Sequence, residues 1–512
     1  MDETLRLAGR LMGVDIPAPE LDDATRAHLA KYRFGSVCLF RKNIRDRHQL
    51  ARLVAELRET LGPECLISID QEGGAVQRTT DLPEAPSAMA LGATDDPALA
   101  QAVGGAVGRS LIALGINWNF APVLDVNTNP RNPVIGDRSF GSDPAKVAAL
   151  GLAWARGLEA EGVMACVKHF PGHGDTHLDS HLDLPSVSKP RALLERLELY
   201  PFKKAVEAGI SSIMSAHIVY PELDPDYPAT LSSRILGELL RQEWGYDGLV
   251  VTDSMDMKAI TQFSPDAGGA AVRAFAAGAD LVLALGSRET QQAQAEALAK
   301  AIAEGTIPRA RLEQSLERLA RAARSFPGTP HPYSAQAEAA DRALMKEAAA
   351  RSLTWVYGAC SVPRYGPVRL PRPGDRILFV APDLAPGESA YENGPAAQDL
   401  ARRLKERFPG LRALAYPRQQ PQAVLASAQA AAKESDFILY VSTTRQQLSQ
   451  AEAELAQALF ALDKPALHVA LWNPYHVQVV RQPALITYGW RPPTLEALVE
   501  ALSGAPTPGK LP

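Results

Sequence analysis

The chain has 512 residues, of which 46% are hydrophobic and 22% are charged, and its formal net charge is −5. This composition is typical of a globular protein long enough for two or three domains. Because it lacks long runs of like charge and any apolar stretch of about 18 residues, the sequence predicts neither nucleic-acid binding nor membrane insertion. We expect a small partner that is neutral or modestly charged.

The four cysteines are widely scattered, and three of them lie in apolar runs, so we expect no disulfide framework. The N-terminal segment begins with two acidic residues and has no apolar stretch of signal-peptide length. These features predict a cytoplasmic protein. Nothing in the sequence indicates an oligomeric state.

Short apolar runs alternate with amphipathic segments of helical length, a pattern typical of parallel strands joined by crossover helices. The eight runs are Leu11–Asp15, Ser36–Phe40, Leu66–Asp70, Asn117–Leu124, Val163–Phe170, Ser212–Ile218, Leu249–Asp253 and Asp280–Leu285. Helices are predicted near Asp23–Tyr32, His48–Leu61, Pro97–Leu114, Pro144–Glu161, Arg191–Ala208, Ser233–Trp244, Pro265–Ala277, Glu289–Glu304 and Pro308–Arg324. Eight such repeats predict a (β/α)8 barrel, with an open, doubly wound sheet as the alternative.

Polar residues stand at the ends of several predicted strands, where a barrel carries its active site. Asp70 ends the third run, Lys168 and His169 end the fifth, His217 is near the end of the sixth, and Asp253 ends the seventh. An aspartate that follows an apolar strand stays ionised only if it is hydrogen-bonded, paired with a cation or partly solvated. Asp253 is therefore a candidate nucleophile, although a strand-end aspartate is also a common capping or turn residue.

The segment SFPGTPHPYS, at positions 325–334, is dense in Pro, Gly and Ser and predicts a linker. We therefore assign residues 1–328 to the barrel and residues 329–512 to a smaller, three-layer α/β domain. This second domain should open with a helix at Ala335–Arg351. Its predicted strands are Leu353–Tyr357, Ile377–Ala381, Phe437–Val441, Ala466–Leu471 and Ala484–Tyr488.

The segment after the fifth run, which we call the histidine loop (residues 171–183), has an unusual density of His and Asp. Counting the strand-end histidine, the spacing is four residues throughout: His169, His173, His177 and His181. Such density is common in zinc and iron sites, but only a helix would stack this spacing on one face, and Pro171 and Gly172 disfavour a helix. The loop could bind a metal, carry acid/base chemistry, or use its histidines only to hold its shape.

Asp179 and His181 form a candidate acid/base pair. In an extended segment, side chains two residues apart share a face, so the carboxylate can meet the imidazole. The aspartate would then fix the tautomer of the ring and favour its protonated form. A histidine in that setting can both give and take a proton.

Several blocks resemble, in the same order, the motifs of glycoside hydrolase family 3 in its NagZ-type β-N-acetylglucosaminidase branch. They are IDQEGG (69–74), VQR (76–78), FAPVLD (120–125), VIGDRSF (134–140), KHFPGHG (168–174), DSH (179–181) and MSAH (214–217). The resemblance extends over essentially the whole predicted barrel.

This resemblance implies that Asp253 is the nucleophile and that Asp179 and His181 are the general acid/base pair on a mobile loop. It also implies that five residues bind the hydroxyls of the non-reducing sugar: Asp70, Arg78, Arg138, Lys168 and His169. Such a set supplies donors from its cations and acceptors from its carboxylate. A structural salt bridge remains the alternative for the two arginines. No cofactor and no metal are implied.

The implied activity is that of a retaining exo-β-N-acetylglucosaminidase acting on muropeptides or related cell-wall saccharides in peptidoglycan recycling. Alternatives within the family are a phosphorylase and a β-glucosidase. Alternatives from other classes are a metal-dependent barrel hydrolase and a non-catalytic sugar-binding protein.

The sequence departs from the family pattern in two places. Ser254 follows the candidate nucleophile, where some members carry another residue. Many NagZ-type enzymes are a lone barrel, whereas this chain has a second domain. Because the histidine loop already offers an acid/base pair, we expect that domain to be a scaffold or to contact the far end of the substrate.

Overall fold

The computed structural model describes residues 2–356, 369–384 and 393–512, and it contains two main sheets. The first part of the chain contains ten strands, which are numbered here in chain order. They are β1 (Met12–Val14), β2 (Ser36–Leu39), β3 (Leu66–Ile69), β4 (Gln71–Gly73), β5 (Val76–Gln77), β6 (Trp118–Asn119), β7 (Met164–Phe170), β8 (Ser212–Ser215), β9 (Leu249–Ser254) and β10 (Leu281–Ala284). Strands β4 and β5 pair only with each other, in antiparallel fashion.

The other eight strands close into a parallel barrel in the order β1-β10-β9-β8-β7-β6-β3-β2. The predicted barrel is therefore confirmed, and the open-sheet alternative is wrong. The helices of this part are Asp2–Arg10, Asp23–Tyr32, Arg47–Leu61, Ala88–Thr94, Pro97–Ile112, Pro144–Ala160, Arg191–Arg196, Leu199–Glu207, Ser233–Glu243 (a π-helix), Lys258–Phe263, Ala267–Ala277, Arg288–Ala303 and Arg309–Ser325. Short 3-10 turns occur at Arg41–Asn43, Gly136–Arg138 and Ala229–Leu231.

Local sequence explains where several barrel helices begin. The side chains of four aspartates accept hydrogen bonds from the first backbone N–H groups of the helix that follows: Asp22, Asp46, Asp96 and Asp143. An N-cap of this kind satisfies donors that the helix itself leaves unpaired. Two of these helices also have proline at their first position, where its missing N–H costs nothing.

The structure shortens or splits some predicted elements. The predicted strand Asn117–Leu124 is regular only over Trp118–Asn119, because Pro122 cannot donate a ladder hydrogen bond. The predicted helix Arg191–Ala208 is two helices, Arg191–Arg196 and Leu199–Glu207, and Pro201 lies in the first turn of the second. The hairpin β4–β5 and the helices Asp2–Arg10, Ala88–Thr94 and Lys258–Phe263 were not predicted.

The second domain is a six-stranded sheet with helices on both faces. Its strands are β11 (Thr354–Val356), β12 (Ile377–Pro382), β13 (Leu411–Tyr416), β14 (Phe437–Ser442), β15 (Ala466–Ala470) and β16 (Ala484–Ile486), in the order β11-β16-β15-β14-β12-β13. Its helices are Ala335–Ser352, Ala397–Arg407, Leu425–Glu434, Gln450–Phe460, His476–Val480 and Pro492–Leu502, and a 3-10 turn spans Pro421–Val424. Among the described strands of this sheet, β11 alone is antiparallel to its neighbour.

Alternation along β12 separates the two faces of this sheet. Phe379 belongs to one apolar core with helices Ala397–Arg407 and Pro492–Leu502, while Leu378 and Val380 belong to another with Gln450–Phe460. The predicted second α/β domain is thus confirmed in class. The edge strand β13 was not predicted; its four middle residues are exposed or half-buried, and Arg412 interrupts its apolar residues. Tyr357, predicted to end a strand, lies outside the described residues.

The second domain packs against the barrel. Ser87 Oγ donates a hydrogen bond to the Tyr488 carbonyl oxygen over 2.7 Å, and Arg109 binds the Asp341 carboxylate. The boundary between residues 328 and 329 stays a prediction. Over the described ranges, we find no helix with both the length and the apolar character needed to cross a membrane.

Candidate active site

A cavity of about 610 Å³ opens at the C-terminal ends of the barrel strands. Seven of the eight residues singled out from the sequence line it: Asp70, Arg78, Arg138, Lys168, His169, His181 and Asp253. The eighth, Asp179, lies directly behind His181. Residues that are up to 183 positions apart in the chain therefore meet in one place, as a barrel requires of its active site.

Asp70, Arg138 and Lys168 form one wall of the cavity, and Glu72, which does not line it, joins them in a charged cluster. Lys168 Nζ lies 2.7 Å from Asp70 Oδ1 and 2.7 Å from Glu72 Oε1. Burial would raise the pKa of Glu72, but Arg138 and Lys168 outweigh it and hold that pKa far below its usual range. Burial would likewise lower the pKa of Lys168, but Asp70 and Glu72 raise it. Glu72 and Lys168 are therefore both charged at neutral pH.

Arg78 lies beside Asp70, at the edge of this wall. Its guanidinium lies 3.7 Å from Asp70 Oδ2 and 5.8 Å from the centre of the Phe40 ring. Asp70 is the more exposed member of the cluster, with 17% of its side chain accessible, whereas Lys168 has 3%. The carboxylate of Asp70 can therefore accept a hydrogen bond from a ligand without leaving its cations.

His169 is held in one orientation by a buried aspartate. Its Nδ1 lies 2.7 Å from Asp125 Oδ2, and Asp125 Oδ1 also accepts the backbone N–H groups of His169 and His173. Burial raises the pKa of Asp125, but the adjacent His169 outweighs this and lowers it. The Nδ1–H of His169 thus donates to Asp125, so that Nε2 is left to accept, and Arg138 lies 3.5 Å from it.

Asp253 lies near the end of β9, partly buried, where its Oδ1 accepts the Ser254 N–H over 2.7 Å. Burial raises its pKa, but the imidazoles of His217, His169 and His181 outweigh burial and lower it. The residue is therefore an ionised carboxylate at neutral pH. His217 Nε2 in turn donates to the Ser254 carbonyl oxygen over 2.8 Å, which ties the end of β9 to the loop after β8.

Asp179 and His181 form the pair that their spacing predicts. His181 Nδ1 lies 2.7 Å from Asp179 Oδ1, and the same oxygen accepts the His181 backbone N–H over 2.9 Å. Asp179 is buried, whereas 34% of the His181 side chain is accessible. The carboxylate orients the ring from behind, and Nε2 remains to exchange a proton on the cavity side.

His173 and His177 serve the shape of the histidine loop. Both ring nitrogens of the buried His173 bind hydroxyls within the loop, Thr176 Oγ1 at 2.8 Å and Ser180 Oγ at 3.0 Å. The exposed His177 contacts Asn129. Within the described parts of the chain, no three His, Cys, Asp or Glu side chains are arranged to hold a metal ion. The four histidines each have a different partner and do not converge.

Three residues of the site were not singled out from the sequence as functional: Glu72, Asp125 and Asp256. Glu72 and Asp125 stood inside motif blocks, which were the available signal for them. His217 was predicted to lie near the end of the sixth strand, and the structure places it beside Ser254. Asp256 follows the nucleophile candidate by three positions and lines the same cavity. Burial, with the nearby Asp15, raises the pKa of Asp256 to about 7.

The chain is similar to known proteins in both sequence and structure. A family model described as the glycosyl hydrolase family 3 N-terminal domain matches residues 7–322. The chain is 40% identical over 287 residues to Beta-hexosaminidase A of Pseudoalteromonas piscicida, and the match covers 52% of this chain and 47% of that protein. The chain thus matches about half the length of that relative.

Two solved structures are also similar. The glycoside hydrolase family 3 beta-N-acetylglucosaminidase from Paenibacillus sp. str. FPU-7 is 34% identical with a TM-score of 0.91, covering 99% of this chain and 98% of that chain. NagZ from Neisseria gonorrhoeae, in complex with N-trifluoroacetyl-D-glucosamine, is 30% identical with a TM-score of 0.52. It covers 61% of this chain and 98% of that chain. The first similarity therefore includes both domains.

Proposed function

Because the chain belongs to glycosyl hydrolase family 3, we propose that it is a retaining exo-β-N-acetylglucosaminidase. The motif resemblance to this family is confirmed by the match over residues 7–322. The substrate is a saccharide with a terminal β-linked N-acetylglucosamine. The observation that carries the proposal is that Asp253 and His181 line one cavity together with Asp70, Arg138 and Lys168.

The first chemical step joins Asp253 to the anomeric carbon. The ionised carboxylate attacks that carbon while His181, protonated at Nε2, gives its proton to the departing glycosidic oxygen. The bond between the anomeric carbon and this oxygen breaks, and a covalent glycosyl ester forms. The lowered pKa of Asp253 suits it to this role, because only the carboxylate is nucleophilic.

The second step returns the enzyme to its starting state. His181, now neutral, takes a proton from a water molecule that attacks the anomeric carbon, and Asp253 leaves as a carboxylate. Two inversions give overall retention. The contact between Asp179 and His181 Nδ1 supports both steps, because it stabilises the imidazolium and keeps Nε2 turned to the reaction.

The charged cluster suits the hydroxyls of the non-reducing sugar. Lysine and arginine offer only donors and a carboxylate only acceptors, so Asp70, Lys168 and Arg138 can bind a pyranose in one orientation. We assign Arg78 and His169 to the same set, since both line the cavity beside these groups. This wall closes one side of the cavity, which favours cleavage of the terminal sugar of a saccharide.

The identity of the sugar is supported by the relatives. One is named a hexosaminidase, one a beta-N-acetylglucosaminidase, and one binds an N-acylated glucosamine. We propose muropeptides or related cell-wall saccharides as the natural substrates, following the motif resemblance.

Aryl glycosides that differ only at C2 test this proposal. We expect turnover of the N-acetylglucosaminide and at least about tenfold slower turnover of the plain glucoside, the discrimination that a binding difference of about 1.4 kcal/mol supplies. Asp253→Ala should abolish turnover while circular dichroism and thermal unfolding stay unchanged. Activity confined to the glucoside would make the protein a β-glucosidase. Near-normal turnover by Asp253→Ala would contradict the proposed nucleophile.

A phosphorylase is the second candidate function, because the acid/base group is an imidazole. Unlike a carboxylate, it does not repel an attacking phosphate anion. Products formed in phosphate buffer separate the two reactions, since a hydrolase releases free sugar and a phosphorylase releases sugar 1-phosphate. Loss of activity on treatment with a chelator would instead favour a metal-dependent hydrolase. An absence of turnover on all aryl glycosides would favour a sugar-binding protein.

A further inference from the structure

The hairpin β4–β5 belongs to the barrel part of the chain, but its turn is buried against the second domain. Ala75 and Val76 are only 1% and 0% exposed. Both belong to the apolar core that contains Trp472 and Trp490 of the second domain, and not to the core of the barrel. The hairpin therefore shares one hydrophobic core with the second domain.

A buried side chain of the second domain also binds this turn directly. Arg491 Nε donates to the Gly74 carbonyl oxygen over 2.6 Å, and its Nη1 donates to Glu84 Oε2 over 3.3 Å. Arg491 directly precedes the helix Pro492–Leu502, which packs in the same core as Ala75. The guanidinium is thus presented to the turn from a fixed element.

The turn itself is tightly enclosed. Gly74 has a φ of +55°, and a Cβ at this position would lie 2.6 Å from the Cβ of Ser87. The Gly74 N–H donates to the Ala85 carbonyl oxygen over 2.9 Å. With Arg491 bound to its carbonyl oxygen, both polar backbone groups of Gly74 have partners. The turn is therefore held in one place by both domains.

The two legs of the hairpin carry groups of the candidate site. The leg before the turn carries Glu72, which contacts Arg138 and Lys168 at 2.7 Å each. The leg after it leads to Arg78, which lines the cavity, and whose ion pair with Asp70 is longer, at 3.7 Å. A displaced turn would therefore move Arg78 more readily than Glu72.

The second domain reaches the site only indirectly. Over the described ranges, none of its residues lines the cavity. Any influence of this part on sugar binding must therefore pass through barrel segments, and the hairpin β4–β5 is a segment that contacts both.

We propose that Arg491 is a positioning residue, which fixes the β4–β5 turn and thereby holds Arg78 in its sugar-binding place at the cavity. The second domain is then a working part of the site, although a lone barrel can carry the same catalytic groups. This inference rests on the proposed sugar-binding role of Arg78.

Replacing Arg491 in the full chain tests the inference. Arg491→Met keeps most of the bulk but removes the donor to Gly74. We expect it to raise KM for an aryl N-acetylglucosaminide about threefold to thirtyfold and to weaken binding of free N-acetylglucosamine by the same factor. Because Asp253 and His181 lie on other segments, kcat should change less than twofold. Arg491→Lys, which retains a charged donor, should restore most of the affinity.

A loss of stability does not imitate this result, because KM and the affinity for N-acetylglucosamine do not depend on the fraction of folded protein. A first control, Glu84→Gln, removes the ion pair of Arg491 but leaves its contact with Gly74. KM should then be unchanged. A rise as large as in Arg491→Met would assign the effect to the ion pair and overturn the role of the Gly74 contact.

A second control breaks the domain interface at another point. Arg351 Nη2, in the second-domain helix Ala335–Ser352, donates over 2.6 Å to Oδ2 of Asp96, which caps a barrel helix. Arg351→Gln should leave KM unchanged. The same rise as in Arg491→Met would mean that general loosening of the interface, and not the contact with the turn, affects the site.

A double-mutant comparison shows whether the effect passes through Arg78. Once Arg78→Ala has removed the sugar contact, adding Arg491→Met should cause no further rise in KM. Additive effects would overturn the inference, as would a normal KM in Arg491→Met. A normal KM in Arg78→Ala alone would instead contradict the proposed sugar-binding role of Arg78.

Discussion

Arg138 and Glu72, which are 66 positions apart in the chain, meet through two hydrogen bonds of 2.8 and 2.7 Å. Only 5% and 6% of these side chains are accessible. Lys168 also contacts the Glu72 carboxylate, so this one buried anion partly neutralises the charges of both Arg138 and Lys168. Asp70 supplies the second negative charge. The charged cluster is therefore held together by Glu72, which the substrate need not touch.

Replacing Glu72 with Gln should destabilise the protein by about 3–5 kcal/mol, because a buried ion pair then loses one partner. The folded-state pKa of Glu72 lies below its unfolded value of 4.5, so its contribution is complete above about pH 4.5 and falls as the pH decreases. Urea unfolding at several pH values measures this. The difference between wild type and Glu72→Gln should shrink towards pH 3. A constant difference would show that its charge is not the cause.

Removing His181 should affect substrates according to their leaving groups. A poor leaving group needs protonation, so His181→Ala should lower kcat/KM for an alkyl or saccharide glycoside by about 10²–10⁴-fold. An activated aryl glycoside, which leaves as a stable phenolate, should lose far less. Comparing the two substrate series on one enzyme preparation cancels any loss of folded protein. Equal losses for both series would exclude His181 as the acid.

The barrel and most of the site could be predicted because both depend on short-range patterns. Apolar runs place the strands, and the polar residues Lys168 and Asp253 stand at the ends of β7 and β9. The pairing of Asp179 with His181 follows from their spacing alone, since they are two residues apart in one loop. In each case the sequence neighbourhood contains the information that the fold uses.

The remaining groups depend on contacts between distant segments. Glu72 lies on a hairpin too short to give a strand pattern, and its partner Arg138 comes from a different loop. Asp125 is the last residue of the FAPVLD motif, a position that fits a strand end and a turn equally well. The spacing of the histidines suggested a metal site, yet His173 turns away to Thr176 and Ser180. The path of the backbone determines which of these side chains meet, and the local sequence does not show that path.

Ser180 should control how firmly the histidine loop is held. Its hydroxyl contacts His173 Nε2 at 3.0 Å, and its carbonyl oxygen accepts the Ala259 N–H over 3.3 Å, in the segment after Asp253. Ser180→Ala removes the first of these contacts. Losing about 1 kcal/mol of anchoring should lower kcat about fivefold, with little change in KM, because Asp179 and His181 become less well positioned.

Steady-state kinetics of Ser180→Ala can be compared with those of Asp183→Asn, an exposed neighbour in the same loop. The control should behave as wild type. An unchanged kcat in Ser180→Ala, or the same loss in both variants, would mean that the contact with His173 does not position the acid/base pair.

Asp256 should make the stability of the protein depend on pH near neutrality. Burial, with Asp15 nearby, raises its pKa to about 7, above the ordinary value of 3.8. Between these pH values the folded state binds the proton more tightly than the unfolded state, so stability falls as the pH rises from about 4 to 7. One oxygen, Oδ2, is buried without a hydrogen-bond partner among the described residues. Asp256→Asn removes the titration and fits the same space.

Thermal unfolding of wild type and Asp256→Asn between pH 5 and pH 8 measures this effect. The Tm of the variant relative to wild type should increase by about 2 °C or more as the pH rises, because only wild type must then ionise a buried carboxyl group. Asp226→Asn, a change at an exposed aspartate, should leave the difference constant. A flat difference for Asp256→Asn would mean that Asp256 ionises without cost, and its carboxylate would then be stabilised in the cavity.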